Sequence, residues 1–274
     1  MNNELLKKTE VLTDYLKSLD SVAICFSGGV DSTYLLYAAR SVLKDKCAAI
    51  TLLSPVSPKR EREKVEEKAA ETGAKLYKIE FDNLKIEEFA ANGKERCYYC
   101  KKTIFSEIKR IAAEKGFSAV AEGSNADDVF DYRPGMRAVS ELGVFSPLKE
   151  AGLTKEDVRT LSREAGLSTA DEPSLACLAS RIPYGERITA EKLKMVDEAE
   201  EYILSLGVTQ VRVRSHGKIA RIEIPEKEFP LLTENGAFRS VEKKLLSLGF
   251  DYVTLDLGGY RTGSMNVNLT DERK

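Results

Sequence analysis

Histidine and long hydrophobic runs are scarce in this sequence of 274 residues, which contains one histidine and five cysteines. The longest apolar runs, such as SVAICF, are far too short to span a bilayer. The N-terminal segment MNNELLKKTEVLTDYLKSLD has the pattern of an amphipathic helix broken by charges, and it lacks the apolar core of a secretory signal. We therefore expect a cytoplasmic protein with no membrane partner. Because cytoplasmic thiols stay reduced, a CxxC pair there is more often catalytic or metal-binding than a structural disulfide.

The charge of the chain is close to balanced. Lysine and arginine number 42, aspartate and glutamate number 44, and the formal net charge at pH 7 is −2. A protein that binds nucleic acid over an extended surface carries an excess of positive charge, so this composition argues against a nucleic-acid partner. With 42% hydrophobic and 31% charged residues, the chain has the composition of an ordinary globular protein, and its length suits two domains.

Short apolar runs alternate with helical patterns in the first half of the chain. Continuous apolar runs predict strands that are buried on both faces of a parallel sheet. These runs are residues 21–26, 47–53, 74–81 and 118–123. Helices are predicted between them, at Asp31–Ala39, Pro58–Thr72 and Lys101–Lys115. The alternation predicts a doubly wound α/β domain.

The second half of the chain predicts a smaller α+β domain. A helix at about 154–165 opens with the capping pattern TKED and closes the first domain, to which we assign residues 1–166. Residues 167–187 show little periodicity and are interpreted as an ordered connector that carries Cys177, since loops of this length in compact proteins are usually functional or disordered. Residues 188–274 are expected to form a helix, a hairpin, a further helix and a strand, in a domain for substrate binding or oligomerisation.

The sharpest motif is SGGVDST, which lies between the first predicted strand and the first predicted helix. Its two glycines allow a tight turn and a close approach to an anion, and the helix N-terminus presents unpaired N–H groups. Asp31 is expected to cap the helix or to hold Mg²⁺. A kinase or GTPase phosphate loop would need GxxxxGK[ST], and that lysine is missing. The alternative is a tight turn with no ligand. The candidate nucleotide-binding residues are Ser27, Gly28, Gly29, Asp31, Ser32 and Thr33.

Polar residues also follow the fourth predicted strand, in the segment EGSNADDVFDYRPG. In open parallel sheets, ligands bind beyond the carboxyl ends of the strands. Arg133 is expected to pair with a carboxylate or a phosphate, and Asp127, Asp128 or Asp131 to support Mg²⁺. The alternative is a polar loop with a β-turn at the Arg-Pro-Gly sequence.

Cysteine supplies the remaining candidates. Cys97 and Cys100 form a CxxC flanked by lysine and arginine, and Cys177 lies in the connector within SLACLASRIPYG. The other two cysteines, Cys25 and Cys47, lie in predicted strands and are expected to be core residues. Three thiols are one fewer than a structural zinc site takes. A redox pair and a zinc site completed by water stay open as alternatives, although the thioredoxin setting of strand then helix is missing.

The SGGVDST motif resembles the PP-loop of the ATP pyrophosphatase superfamily, whose members adenylate a carbonyl or carboxylate and release pyrophosphate. Several segments together resemble one family within it, the LarE sulfur transferases, which use ATP to make the thiocarboxylates of the nickel-pincer nucleotide cofactor. These segments are SGGVDST, NADDVFDYRPG, CLASRIPYG, VRVRSHGKIARIEIP and YVTLDLGGYRTGSMN. They extend from residue 27 to residue 266. The resemblance implies a PP-loop domain, a small α+β domain and a homo-oligomer, commonly a hexamer.

The resemblance implies a reaction in two steps. ATP with Mg²⁺ would adenylate a carboxylate of pyridinium-3,5-biscarboxylic acid mononucleotide and release pyrophosphate, and a sulfur nucleophile would then displace AMP. Asp31, Arg133 and Cys177 would be catalytic, with Cys177 at the sulfur site. The alternatives are a solvated charged face for the arginines of the second domain and a surface position, facing Arg221, for Glu223. The substrate-binding residues implied are Ser180, Arg181, Arg212, Arg214, Arg261, Glu200 and Glu223.

The CxxC distinguishes two branches of this family. One branch lacks it and donates the sulfur of its own cysteine, which becomes dehydroalanine. The presence of Cys97 and Cys100 beside Cys177 resembles the other branch, in which three thiolates hold a [4Fe–4S] cluster and leave one iron open for an extra sulfide. A sulfide source would then be a partner. Open alternatives are sacrifice of the Cys177 sulfur, a PP-loop enzyme that thiolates tRNA, and a non-catalytic Fe–S or ATP-binding module.

Overall fold

The computed structural model describes residues 3–130, 134–173 and 176–261 of the chain. The chain divides into two compact units, each assembled from more than one segment. The first unit is Met1–Ser54, Glu61–Ile86 and Glu95–Leu175, and the second is Pro55–Arg60, Glu87–Lys94 and Ala176–Lys274. The expected connector, residues 167–187, is therefore divided between the two units.

Helices and strands alternate along the first half of the chain and are mixed in the second. The strands are β1 (Val22–Cys25), β2 (Cys47–Leu53), β3 (Lys75–Glu80), β4 (Ala119–Ala121), β5 (Arg212–His216), β6 (Ile219–Glu223) and β7 (Tyr252–Leu255). The helices are α1 (Asn3–Ser18), α2 (Val30–Leu43), α3 (Lys59–Glu71), α4 (Glu87–Ala90), α5 (Arg96–Glu114), α6 (Pro134–Glu141), α7 (Pro147–Glu150), α8 (Lys155–Glu164), α9 (Ala190–Ser205), α10 (Phe229–Thr233) and α11 (Ala237–Ser247).

The first unit is built on a parallel sheet of four strands in the order β3-β2-β1-β4. Alternate residues of the central strand β1 enter two different cores. Val22 and Ile24 pack with residues of α1, α2 and α8, whereas Ala23 packs with residues of α5 and α6. Both faces of the sheet are covered by helices, so the predicted doubly wound α/β domain is confirmed. This arrangement requires continuous apolar strands, because neither face is exposed to water.

The carboxyl ends of β1 and β4 are next to each other, since these strands pair in parallel from Val22 beside Ala119 to Ile24 beside Ala121. The SGGVDST segment follows β1 and the EGSNADD segment follows β4. The register therefore brings the two candidate segments to the same edge of the sheet. Ligands of open parallel sheets bind at this edge, beyond the carboxyl ends of the strands.

The second unit contains a separate sheet in the order β5-β6-β7. The strands β5 and β6 form the predicted antiparallel hairpin, with Gly217 in the left-handed region at φ +59° in its turn. The last strand, β7, pairs with β6 in parallel, and helices α9 and α11 pack on this sheet. The smaller α+β region is thus confirmed. None of the helices in the described ranges is long and apolar enough to cross a membrane.

Four of these helices were not predicted, namely α4, α6, α7 and α10. Pro134 begins α6, where the sequence had suggested a β-turn as one alternative, and Pro147 begins the four-residue helix α7. Both start on proline, which suits the first position of a helix because its missing N–H would have no partner there. The capping box of α8 was predicted correctly: the Thr154 side chain accepts from the N–H of Asp157, and the Asp157 side chain accepts from the N–H of Thr154.

Candidate active site

The SGGVDST segment forms a tight loop between β1 and α2. Gly28 adopts φ +74°, which an L residue with a side chain rarely takes, and Gly29 is the N-cap of α2. The hydroxyl groups of Ser27 and Ser32 lie 3.1 Å apart, and the Ser32 hydroxyl donates to the carbonyl of Gly29 at 3.1 Å. These bonds hold the loop in one conformation. Thr33 is fully buried, and its hydroxyl has no hydrogen-bond partner among the described residues.

Asp31 does not cap α2. The N-cap position is occupied by Gly29, which has no side chain that could accept a capping hydrogen bond. This corrects one of the two roles expected for Asp31. Its carboxylate instead accepts from the side-chain amide of Asn125 at 3.2 Å and forms an ion pair with the ammonium group of Lys155. About a quarter of the Asp31 side chain, 23%, stays exposed. A single accessible carboxylate suits Mg²⁺, which proteins usually hold with one or two carboxylates together with substrate phosphates.

The loop after β4 packs directly on the first turn of α2. A Cβ atom added to Gly123 would lie 2.9 Å from the backbone nitrogen of Ser32, so only glycine fits there. The neighbouring Glu122 is buried, and its carboxylate accepts from the hydroxyls of Ser124 at 2.8 Å and Ser146 at 2.6 Å. Asn125 reaches Asp31 from this loop. The loop thus fixes the position of the first turn of α2.

A buried lysine supports the other side of the loop. Lys68 of α3 is 3% exposed, and its Cδ atom lies 3.3 Å from the position that a Cβ on Gly28 would take. Its ammonium group pairs with Glu172 at 2.7 Å and Glu61 at 2.9 Å. Burial alone would lower the pKa of Lys68, but the two carboxylates outweigh it and the pKa is raised. The sequence does not indicate this role of Lys68, because its partners are seven and 104 positions away.

The two cysteines of the CxxC lie in the first turns of α5. With a spacing of three residues on a helix, Cys97 and Cys100 share one face. The Sγ atom of Cys100 accepts a hydrogen bond from the side-chain amide of Asn83 at 3.0 Å, and the Oδ1 atom of Asn83 accepts in turn from the hydroxyl of Ser54. Asn83 is fully buried. Hydrogen bonds to sulfur are one of the means by which proteins adjust Fe–S clusters.

The remaining cysteines of the first unit are core residues. Cys47 is 3% exposed and belongs to one core cluster, and Cys25 packs against the other. Burial raises the pKa of the Cys47 thiol to about 11 and that of Cys25 well above its usual value. Across the parts of the chain that the structure describes, no group of three or more His, Cys, Asp or Glu side chains is arranged to hold a metal ion.

Cys177 lies in the second unit, directly before a short 3-10 helix at Leu178–Arg181, and it is exposed. Its carbonyl oxygen accepts from the N–H and the hydroxyl of Ser180 and from the guanidinium of Arg181. Arg181 is fully buried and forms a two-bond pair with Glu200 of α9, with both distances 2.8 Å. Burial alone would lower the pKa of Arg181, but Glu200 outweighs it and the pKa is raised. The backbone at Cys177 is therefore fixed while its side chain is accessible.

Two further arginines lie on β5, and one of them, Arg214, contacts the same segment. Arg214 pairs with Glu223 through two bonds of 3.1 and 2.8 Å, and its third nitrogen donates to the carbonyl of Ser180 at 2.8 Å. Arg212 is 3% exposed and lies over the ring of Tyr260. Burial and the nearby charge of Arg181 lower the pKa of Arg212 to about 10. These arginines do not form the solvated charged face that was considered as an alternative, and Glu223, 1% exposed, is not a surface residue.

The structure thus gathers most of the second-unit candidates into one network, which comprises Cys177, Ser180, Arg181, Glu200, Arg212, Arg214 and Glu223.

The other candidate residues lie outside this network. Arg261 lies at the end of the described residues, beside Gly258. Arg133 and Asp131 fall outside the described residues, as do the first two residues of the SLACLASRIPYG segment and the sequence after residue 261. Asp127 accepts from the backbone N–H of Lys155 at 2.8 Å, and Asp128 from that of Asn125 at 3.1 Å.

Comparison with known proteins identifies the family of this chain. A protein of Lactiplantibacillus plantarum named pyridinium-3,5-bisthiocarboxylic acid mononucleotide synthase is 41% identical over 268 residues, which are 97% of this chain and 96% of that protein. The chain belongs to the LarE family. An uncharacterised protein of Synechocystis is 39% identical over 97% of this chain and 99% of its own length. No protein-family model matches the chain.

A more distant relative supports the assignment of this LarE chain to the PP-loop superfamily. The tRNA(Ile)-lysidine synthase of Bdellovibrio bacteriovorus is 26% identical over 80% of the chain and 69% of that enzyme. The parallel sheet with a glycine loop after its first strand agrees with this assignment.

The LarE motifs were found from the sequence, but a residue that shapes the segment after Cys177 was not. Asn92 is fully buried and adopts φ +59°. Its side-chain amide donates to the carbonyls of Pro183 at 2.7 Å and Glu186 at 2.8 Å. The only sequence signal is the Asn-Gly pair at 92–93, which is typical of a turn and does not indicate its partners.

Proposed function

We propose that this chain is an ATP-dependent sulfur transferase that converts carboxylates of pyridinium-3,5-biscarboxylic acid mononucleotide into thiocarboxylates, in the biosynthesis of the nickel-pincer nucleotide cofactor. The observation that carries the proposal is the 41% identity, over nearly the full length of both chains, with a synthase named for the bisthiocarboxylic product. The glycine loop at the sheet edge and the buried arginine network are consistent with it.

The reaction has two steps. A carboxylate oxygen of the substrate attacks the α-phosphorus of ATP, the bond from this phosphorus to the bridging oxygen breaks, and pyrophosphate leaves with the electron pair. A sulfur nucleophile then attacks the acyl carbon and AMP leaves with the electrons of the acyl–oxygen bond. Adenylation is needed because a carboxylate oxygen is a poor leaving group, whereas AMP is a good one.

The residues of the first unit would bind ATP. The backbone of Gly28 and Gly29 and the N-terminus of α2 provide N–H groups for phosphate oxygens. Asp31 would hold Mg²⁺, which when bound neutralises charge on the phosphates. Arg133 is proposed to contact the phosphate or carboxylate of the reacting groups.

The arginine network of the second unit would bind the phosphate of the mononucleotide. Arg212 is proposed to contact this phosphate, because its guanidinium is buried over the ring of Tyr260, and burial and the charge of Arg181 lower its pKa. A bound anion would stabilise its charged form. Arg181 and Arg214 position the Cys177 segment through their bonds to its carbonyl oxygens.

For the sulfur source, we propose that Cys97, Cys100 and Cys177 hold a [4Fe–4S] cluster. Such a cluster with three protein ligands has one open iron that can carry an additional sulfide and so supplies renewable sulfur. The shared helical face of Cys97 and Cys100, the amide of Asn83 at Cys100 and the exposure of Cys177 support this proposal. The alternative is that Cys177 donates its own sulfur.

The test is a turnover experiment that measures pyrophosphate release and intact protein mass. With ATP, Mg²⁺ and the pyridinium substrate, we expect pyrophosphate release that ceases when the pyridinium substrate is omitted. After multiple turnovers of anaerobically reconstituted protein supplied with excess sulfide, which replaces the sulfur transferred in each turnover, we expect no change in the mass of the polypeptide. A loss of about 34 Da, the mass of H₂S removed when a cysteine becomes dehydroalanine, would replace the cluster proposal with sacrifice of Cys177. If pyrophosphate release does not depend on the pyridinium substrate, the proposed enzymatic function is wrong.

A further inference from the structure

A lysine that is not among the candidate residues of the sequence lies beside the SGGVDST loop. Lys155 is the first residue of α8, and its ammonium group forms an ion pair with the carboxylate of Asp31 in the first turn of α2. The two side chains are 29% and 23% exposed, so the pair is accessible from solvent on one side. A cation is therefore present at a loop whose sequence lacks the lysine of other phosphate loops.

The ion pair is held in place from both sides. The backbone N–H of Lys155 donates to Asp127 at 2.8 Å, and the N–H of Asp127 donates to the side-chain oxygen of Asn125 at 3.0 Å. The amide group of Asn125 donates to the other oxygen of Asp31. This chain of bonds connects the loop after β4, the start of α8 and the start of α2, so Lys155 is positioned by the same loop that positions the phosphate-binding helix.

The position of Lys155 has no local explanation in its own helix. The N-terminus of a helix carries a partial positive charge, so a lysine in the first turn is unfavourable and acidic residues are preferred there. Glu156 and Asp157 follow that preference, and Thr154 already caps the helix. The positive charge of Lys155 therefore interacts unfavourably with the dipole of α8. The ion pair with Asp31 offsets this unfavourable interaction.

We propose that Lys155 is a phosphate-binding cation that exchanges partners during the reaction: it pairs with Asp31 before ATP binds, and it moves to the β- and γ-phosphate oxygens when Mg²⁺ takes Asp31. This rests on the proposed function for the identity of ATP as the ligand. The ammonium group then stabilises the charge that develops on pyrophosphate as the bond to the α-phosphorus breaks. While no metal is bound, Lys155 neutralises Asp31, which keeps a negative charge from repelling the incoming triphosphate.

The chain offers a matched control in a second lysine–aspartate pair on the same helix. Lys8 of α1 pairs with Asp157 of α8 at 2.7 Å, and both side chains are 22% exposed. This pair joins two elements at the first turn of α8, as the Lys155 pair does, but it does not involve the phosphate loop. Lys8→Met therefore removes a similar ion pair without touching the proposed exchange.

The first measurement uses Mn²⁺ alone, by electron paramagnetic resonance, with no nucleotide present. In Lys155→Met the metal no longer competes with a lysine for Asp31, so we expect its affinity to rise on the order of threefold, the effect of losing a partly exposed ion pair. Lys8→Met is expected to bind Mn²⁺ as the wild type does. Unchanged or weaker Mn²⁺ binding in Lys155→Met would overturn the exchange.

The second measurement is the rate of pyrophosphate release at saturating Mg²⁺. Lys155→Met is expected to slow it about 100-fold, typical of the loss of one group that stabilises transition-state charge, and Lys155→Arg to restore much of the rate. A rate equal to that of Lys8→Met would show that Lys155 is only a structural ion pair. If the wild type itself releases no pyrophosphate, the proposed function fails, while the Mn²⁺ titration still decides whether Lys155 and a metal compete for Asp31.

Discussion

At the scale of single residues, the site depends on positions where only glycine is tolerated, because of either the backbone conformation or the space available for a side chain. Gly28 supplies a left-handed turn, and Gly123 supplies a close approach between two chain segments. The need for Gly28 was predictable from the motif, since glycine loops before helices are typical of phosphate sites. The need for Gly123 was not, because its neighbour Ser32 is 91 positions earlier and meets it only after β1 and β4 pair.

Gly123→Ala is expected to weaken ATP binding. The added methyl group would lie 2.9 Å from the backbone nitrogen of Ser32 and 3.2 Å from the carbonyl carbon of Asp31, so the first turn of α2 must shift. Overpacking of this kind costs about 1–3 kcal/mol, which corresponds to a rise in the dissociation constant of ATP of about tenfold, measured by isothermal titration calorimetry.

Gly93→Ala is the control for this substitution. A Cβ atom at Gly93 meets no heavy atom within 4 Å, so both stability and ATP binding should be unchanged. Wild-type affinity for ATP in Gly123→Ala would contradict the assignment of the 123–125 loop as the support of the phosphate loop.

At the scale of elements, the short helix Leu178–Arg181 is fixed by a buried charge rather than by its own length. Four residues cannot form a stable helix alone. Arg181 provides the connection, since its guanidinium bonds Glu200 of α9 on one side and the carbonyls of Ala176 and Cys177 on the other. The sequence predicted α9 and the hairpin from their periodicity, but the 167–187 region lacks periodicity, so its order was only inferred from length.

Glu200→Gln is expected to destabilise the protein strongly while keeping the shape of the side chain. It leaves the fully buried guanidinium of Arg181 without its counter-charge, and breaking a buried pair in this way costs about 3–5 kcal/mol. Urea denaturation followed by circular dichroism measures the change in the free energy of unfolding.

Glu87→Gln is the matched comparison, because Glu87 also binds an arginine, Arg187, through two bonds, but both side chains are more than half exposed. We expect no measurable change in the free energy of unfolding for Glu87→Gln, since exposed pairs contribute little. Equal destabilisation by the two variants would refute the argument that burial of Arg181 determines the stability of this segment.

At the scale of the whole molecule, the five cysteines separate into two groups by environment. Cys25 and Cys47 belong to the two cores of the first sheet, whereas Cys97 and Cys100 lie on a helix start and Cys177 is exposed. The sequence predicted this division correctly, because cysteines inside apolar strands are core residues. The partner of Cys100, the buried amide of Asn83, required the fold.

Iron content is expected to follow this division. Anaerobic reconstitution should load about four iron atoms per chain in the wild type, as the cubane requires, and Cys97→Ala and Cys177→Ala should lose the iron and the brown colour. Cys47→Ala, which lowers stability by removing a core thiol, should keep both. Iron analysis and the visible absorption spectrum are the measurements. Zinc in place of iron in the wild type, under the same conditions, would reject the cluster.

The sequence by itself determined the fold class, the glycine loop between β1 and α2, the capping box of α8 and the family, because each of these depends on residues that are close together in the chain or on motifs of fixed spacing. The tertiary structure decided which charges meet. The pairs of Asp31 with Lys155, Lys68 with Glu172 and Arg181 with Glu200 join residues 124, 104 and 19 positions apart. Local propensity carries no information about such partners, since they are brought together by strand order and helix packing, and burial then determines how much each charge matters.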